Sequence, residues 1–291
     1  MTALRAGGLP ADWLNGWLAA LGVTVLIEGV RLRWSREPQP VAEFEWDRHG
    51  DLGSAVDSAL QEAGGRTYAG AHLRRQASLD EYRSAAARAR TDGDFSLAMV
   101  MTDLALDREG KQPGPTPSTF YTSGPGTVGT IGDRLDTCLR LIPPPGAGSA
   151  AASLAGHGPR VKANGLGFDV RRIAIGDMAG DFGEMYIDPV IEALAFFGLA
   201  FFTVRGDGNR AATRGWSRRR ARMDSFTWFA WGPAIDRWSI DAALSLAFAV
   251  PDVTDWRSLA SLEIHAVFES VAYTSKGSAD PTRAFASRRV R

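Results

Sequence analysis

The chain has 291 residues, 33 of them Lys or Arg and 33 Asp or Glu, so its formal charge is zero and bulk attraction to a polyanion is excluded as an argument. A hydrophobic share of 45 % is enough for a sizeable core, either as one large domain or as two small ones. The single cysteine, Cys138, excludes an internal disulfide framework and any cysteine-rich zinc module, and it fits a reducing cytoplasm.

Positive charge comes almost wholly from arginine, since Lys111, Lys162 and Lys276 are the only lysines. A GC-rich genome is the bland explanation of that bias. The functional one is that guanidinium forks hold phosphates bidentately and stack on bases. No secretory signal is visible, and the most apolar run, Ile191 to Phe202, is too short to span a bilayer. A cytoplasmic protein without a membrane partner is expected.

Along the chain, Trp13, Leu14, Trp17, Leu18 and Leu21 recur at helical spacing, which predicts a helix over Pro10–Gly22 with Gly22 as its stop. Val23–Ile27, Val30–Trp34 and Val41–Trp46 read as three strands of a meander. Polar helices are expected over Leu52–Ala63 and Ser78–Ala89, then a strand over Leu97–Leu104 and an exposed connection over Asp107–Ser118. Thr119 begins a strand, a glycine-rich loop and a helix that reaches Leu141. Its loop holds Ser123, Gly124, Gly126 and Gly129, formally GxGxxG, but no acidic residue follows at the dinucleotide spacing and no Walker lysine is present. A structural loop is the plain reading, and a backbone N–H cradle for a nucleic-acid phosphate is the functional one.

Pro143–Gly158 has no acid or lysine/arginine and reads as a flexible linker or loop between an N-terminal α+β part, 1–142, and a C-terminal one, 159–291. Beyond it, Asp188 as N-cap and Pro189 at the first helical position predict an apolar helix through Ala200. The sequence after that helix carries Arg205, Arg210, Arg214, Arg218, Arg219, Arg220 and Arg222, with no acidic residue between Asp207 and Asp224. This is a local positive field with Trp216 inside it, a pattern that could track phosphates and stack a base. Ser225–Trp231 reads as a strand, Ile235–Val250 as a helix ended by Pro251, and Ile264–Tyr273 as a strand. Hairpin-type strand pairs predominate, so the fold class expected is α+β, a mixed or mainly antiparallel sheet with flanking helices.

For catalysis the signals are thinner. His49, His72, His157 and His265 show no HxxxH or HxxE spacing, and no Gly-x-Ser-x-Gly elbow occurs. Asp177, Asp181 and Glu184 bunch before Asp188 and could hold a divalent ion for nuclease chemistry, although Gly176, Gly180 and Gly183 among them suit a loop with helix-capping acids. No enzyme activity, cofactor or resident metal is expected.

Gly167-Phe-Asp-Val-Arg-Arg, the segment Asp188 to Phe202, the arginine-rich stretch and Phe226-Thr-Trp-Phe-Ala-Trp-Gly-Pro resemble, in that order, the small accessory effector proteins of CRISPR subtype I-U, also called I-G. Leu14-Asn-Gly-Trp-Leu-Ala-Ala-Leu-Gly-Val is similar to the opening helix of such proteins. The chain departs from that pattern at Ser123-Gly-Pro-Gly and at Ala200-Phe-Phe-Thr-Val-Arg205. The resemblance implies a non-catalytic subunit of a bacterial RNA-guided antiviral complex, with other effector subunits and guide RNA or target DNA as partners and a ferredoxin-like (RAMP-like) core as one form of the sheet. A metal-dependent nuclease centred on Asp177, Asp181 and Glu184, or a purely protein–protein scaffold, are the alternatives.

Overall fold

The computed structural model describes residues 2–48, 50–107, 113–121, 129–144, 147–163, 165–166, 186–218, 224–250, 255–273 and 284–290. The chain opens with strand β1 (Thr2–Pro10), helix α1 (Leu14–Leu26) and the hairpin strands β2 (Arg31–Trp34) and β3 (Val41–Trp46). Helices α2 (Leu52–Gly64), α3 (Leu79–Asp92) and α4 (Ser96–Val100) follow, then β4 (Met101–Asp107) and β5 (Gly114–Pro117), and helices α5 (Ile131–Leu141) and α6 (Ser149–Ala155). A short pair, β6 (Val161–Lys162) and β7 (Tyr186–Ile187), brackets the approach to α7 (Pro189–Gly198). The rest is β8 (Val204–Gly206), β9 (Ala211–Thr213), β10 (Trp216–Arg218), β11 (Asp224–Trp231), α8 (Arg237–Ala249), α9 (Trp256–Ser261), β12 (Ile264–Tyr273) and β13 (Ala284–Arg289).

Every pairing of named strands is antiparallel, in a three-stranded sheet ordered β1-β3-β2, a four-stranded sheet ordered β10-β11-β12-β13 and three two-stranded ribbons. The fold class is therefore α+β. The first sheet, with α1 between β1 and β2, has the order of the first three strands of a ferredoxin-like unit, but among the described residues no fourth strand pairs with β1. Instead α6 packs there, and a Cβ on Gly8 would lie 2.1 Å from the Ser153 carbonyl oxygen.

α1 and α7 are apolar on nearly all sides and lie inside, as such helices must, with buried Asn15 of α1 donating to Glu192 of α7 at 3.4 Å. They cross at two glycines: a Cβ on Gly22 would lie 1.9 Å from the Leu194 carbonyl oxygen, and one on Gly198 would lie 2.0 Å from that of Leu18. Gly22 is thus no helix stop. α1 runs on to Leu26, so Val23 to Leu26 are helical rather than extended, and the missing strand of the meander is supplied by β1. Burial overrides the β preference of Val23 and Thr24, and the Thr24 hydroxyl donates back to the Leu21 carbonyl at 2.7 Å.

Three indoles tie β11 to the N-terminal part by donating to backbone carbonyls: Trp17 of α1 to Phe229 at 2.9 Å, Trp228 to Ala11 at 2.7 Å, and, between the two sheets, Trp231 to Leu32 of β2 at 3.0 Å. Contacts from the first residues to the last strands therefore cross the division expected at 143–158. That segment is also not a plain linker. It contains α6, whose Ala150, Ser153 and Leu154 are buried and whose start is held by Asp57, which accepts from Ser149 Oγ at 2.8 Å and Ala150 N at 3.0 Å. The strand expected over 97–104 is split into α4 and β4, and the connection over 107–118 includes β5, whose Pro115 and Pro117 suit a strand paired on one side only.

Candidate nucleic-acid interface

The arginine-bearing segment begins as the hairpin β8–β9. Asp207 shapes its turn: Oδ1 accepts the backbone N–H of Asn209 at 2.9 Å and of Arg210 at 2.8 Å, and Gly208 takes φ +91°, where a Cβ is strained. These backbone hydrogen bonds hold the Asp207 carboxyl below its ordinary pKa. Arg205 and Arg210 flank the turn, both exposed.

Arg214 is different. Its side chain is 7 % exposed, and its guanidinium donates to Phe201 O at 3.2 Å, to Ser245 Oγ at 2.6 Å and to both the carboxylate and the carbonyl of Asp241, lying 5.7 Å from the Phe248 ring centroid. It fastens α8 to the 3-10 turn after α7, an internal use of a guanidinium that the sequence assigns to phosphate. Trp216 is likewise drawn inward: its half-buried indole packs with its ring centroid 5.2 Å from that of Phe120 and 5.5 Å from that of Phe226, as part of an aromatic cluster that continues through Phe202 and Trp228. Arg214→Lys, which keeps the charge and loses the fork, is expected to cost about 2 kcal/mol in a urea unfolding curve; an unchanged midpoint would contradict the clamp.

In the antiparallel register of β10 and β11, Arg218 stands opposite Asp224. Arg219, Arg220 and Arg222 lie outside the described residues, as do Ser123, Gly124 and Gly126 of the glycine loop and the acids Asp177, Asp181 and Glu184.

Gly129, the described end of the glycine loop, leads into α5 through a capping box. Thr130 Oγ1 accepts Asp133 N at 3.1 Å, while Asp133 Oδ2 accepts Thr130 N at 2.6 Å. A carboxylate therefore already occupies the helix end where a phosphate would dock. Burial tends to raise the Asp133 pKa, but hydrogen bonds from Thr130 and the nearby His72 hold it below the ordinary value. His72 sits between Asp133 and Asp136, 3.5 Å from each. Among the described residues no cluster of three His, Cys, Asp or Glu could hold a metal ion.

The outer face of the first sheet is arginine-rich without being basic. Arg5 pairs with Glu37, Arg31 with Glu45 at 2.9 Å, and Arg33 with Glu43 at 2.8 Å. Sequence reading gave these arginines no role, and their alternation with glutamate on β2 and β3 is the signal that could have found the ladder. No described helix is long and apolar enough to cross a membrane.

Comparison of the chain with protein-family models, with curated proteins and with solved structures finds no match. What the fold and the site define is a class: an α+β protein that presents two exposed arginines, Arg205 and Arg210, on either side of a hairpin turn.

Proposed function

We propose that this chain is a non-catalytic subunit of an RNA-guided interference complex of the CRISPR I-U kind, holding the phosphate backbone of guide RNA or target DNA. The observation that carries the reading is the contrast in how arginines are used. Those of the first sheet are matched by glutamates, and Arg214 is bound internally, whereas Arg205 and Arg210 project from a hairpin followed directly by Arg218, Arg219, Arg220 and Arg222. Backbone holding by arginine needs no reactive group and reads no sequence, which suits a subunit of an assembly where base pairing supplies specificity.

The test is the salt dependence of binding to a labelled single strand. Arg218→Ala, Arg219→Ala and Arg220→Ala together should weaken binding and flatten the slope of log affinity against log salt by about 0.7 for each phosphate no longer neutralised. Unchanged affinity and slope would refute it and favour the protein–protein scaffold. A specific feature fits that second reading: Trp238 and Leu246 on the outer side of α8 are 73 % and 57 % exposed.

A further inference from the structure

The outward face of α8 differs from that of an ordinary surface helix. α3 turns Asp80, Glu81, Arg83, Arg88 and Arg90 to solvent. On the exposed side of α8, by contrast, Trp238, Ala242, Ser245 and Ala249 recur at spacings of four, three and four residues, with exposed Leu246 beside them. No charge stands in that stripe. The polar groups in it and at its border are already engaged: Asp241 and the Ser245 hydroxyl accept from the Arg214 guanidinium, and the Ser239 hydroxyl is bonded to the Asp236 cap. The inner side of the helix, with Ile240, Leu244 and Ala247, is buried in the core, so the stripe is a second and separate apolar face.

The order of sizes along the stripe selects its occupant. Bulk stands at one end, in Trp238, and near the other, in Leu246, with the small Ala242 and Ser245 between them. A second copy of α8 laid antiparallel across the first repeats that order in reverse. Each Trp238 then covers the turn from Leu246 to Ala249 of the other copy, while the two backbones approach at Ala242 and Ser245.

Charge agrees with the antiparallel sense. Arg237 stands in the first turn of α8, where the helix dipole opposes a cation, and the last turn carries no basic residue. Its guanidinium lies 5.1 Å from the centroid of the Trp238 ring, so it accompanies that ring into any contact the ring makes. An antiparallel copy brings each Arg237 to the carbonyl end of the other α8, where a cation is favoured. A parallel copy would instead set Arg237 against Arg237.

We infer that α8 is the contact of a two-fold symmetric dimer of this chain, the two copies crossing antiparallel near Ala242. One helix from each copy makes a small interface, so the dimer is reversible and depends on concentration. It needs nothing from the nucleic-acid reading, and it assigns the exposed side chains of α8 to a second copy of the chain.

The test is sedimentation velocity of the full chain, without nucleic acid, from about 1 to about 100 µM. The native protein should pass from monomer to dimer across that range. Leu246→Glu and Trp238→Ala, both at exposed positions, should keep the native urea midpoint at the lowest concentration and weaken association at least roughly tenfold. Arg237→Ala should weaken it severalfold. Ala242→Cys, in a chain whose own Cys138 is buried, should be joined to itself by a short bis-maleimide. Ala249→Cys, roughly 20 Å from its counterpart along an antiparallel pair, should not. A native chain that stays monomeric throughout overturns the dimer and leaves the stripe to a different partner. A dimer that survives Leu246→Glu, or one in which Ala249→Cys is joined as readily as Ala242→Cys, overturns the antiparallel contact at α8.

Discussion

Gly22→Ala and Gly198→Ala should each destabilise the protein by about 3 kcal/mol, although alanine in an ordinary helix interior would stabilise it by up to about 1 kcal/mol. The inversion follows from the crossing of α1 and α7. Each glycine faces the carbonyl of a residue four positions before the other glycine, Leu194 opposite Gly22 and Leu18 opposite Gly198, at separations of 1.9 and 2.0 Å from the Cβ that alanine would add. Backbone carbonyls cannot swing aside as side chains do, so the helices must move apart. That motion loosens packing along two helices whose residues are almost all buried. Because one separation relieves both clashes, the double variant should cost well under the sum of the two single ones. Urea unfolding of the three variants measures this, and additive costs or a stabilised single variant would show that the helices do not meet as described.

Asp188→Ala is expected to cost about 3 kcal/mol. Asp188 is 4 % exposed, and Oδ1 accepts from Val190 N at 3.0 Å, Ile191 N at 3.3 Å and Ser153 Oγ at 2.9 Å. Alanine removes a helix cap, worth about 1 kcal/mol, and also leaves the buried Ser153 hydroxyl without this acceptor, for a further 1 to 3 kcal/mol or so. Asp188→Asn keeps an acceptor oxygen in place and should lose about 1 kcal/mol or less. Equal losses in the two variants would mean that charge, rather than capping and the link to α6, is what Asp188 contributes.

The Asp188 cap, Pro189 and the apolar helix behind them were legible because capping chemistry is local: the donors it satisfies lie two and three residues away. Strands over 41–46 and 264–273 and helices near 52–64 and 79–92 were legible for the same reason, through periodicity and the residues at their ends. The site was legible only as a basic stretch. Nothing near Arg214 in sequence separates a clamped guanidinium from a solvated one, since Asp241 and Ser245 lie 27 and 31 residues further on. Trp216 has the same difficulty, its partner Phe120 being distant in the chain.

By itself, then, the sequence determined the composition of a neutral, arginine-rich α+β chain, the buried character of α7 and the placement of a run of arginines after it. Which arginines are clamped and which project, which glycines are contacts and not stops, and whether the two halves share a core were decided by the tertiary structure alone. The physical reason is range: capping and periodicity act within a turn or two of chain, whereas the indole hydrogen bond that joins the two sheets, Trp231 to Leu32, acts between residues 199 apart.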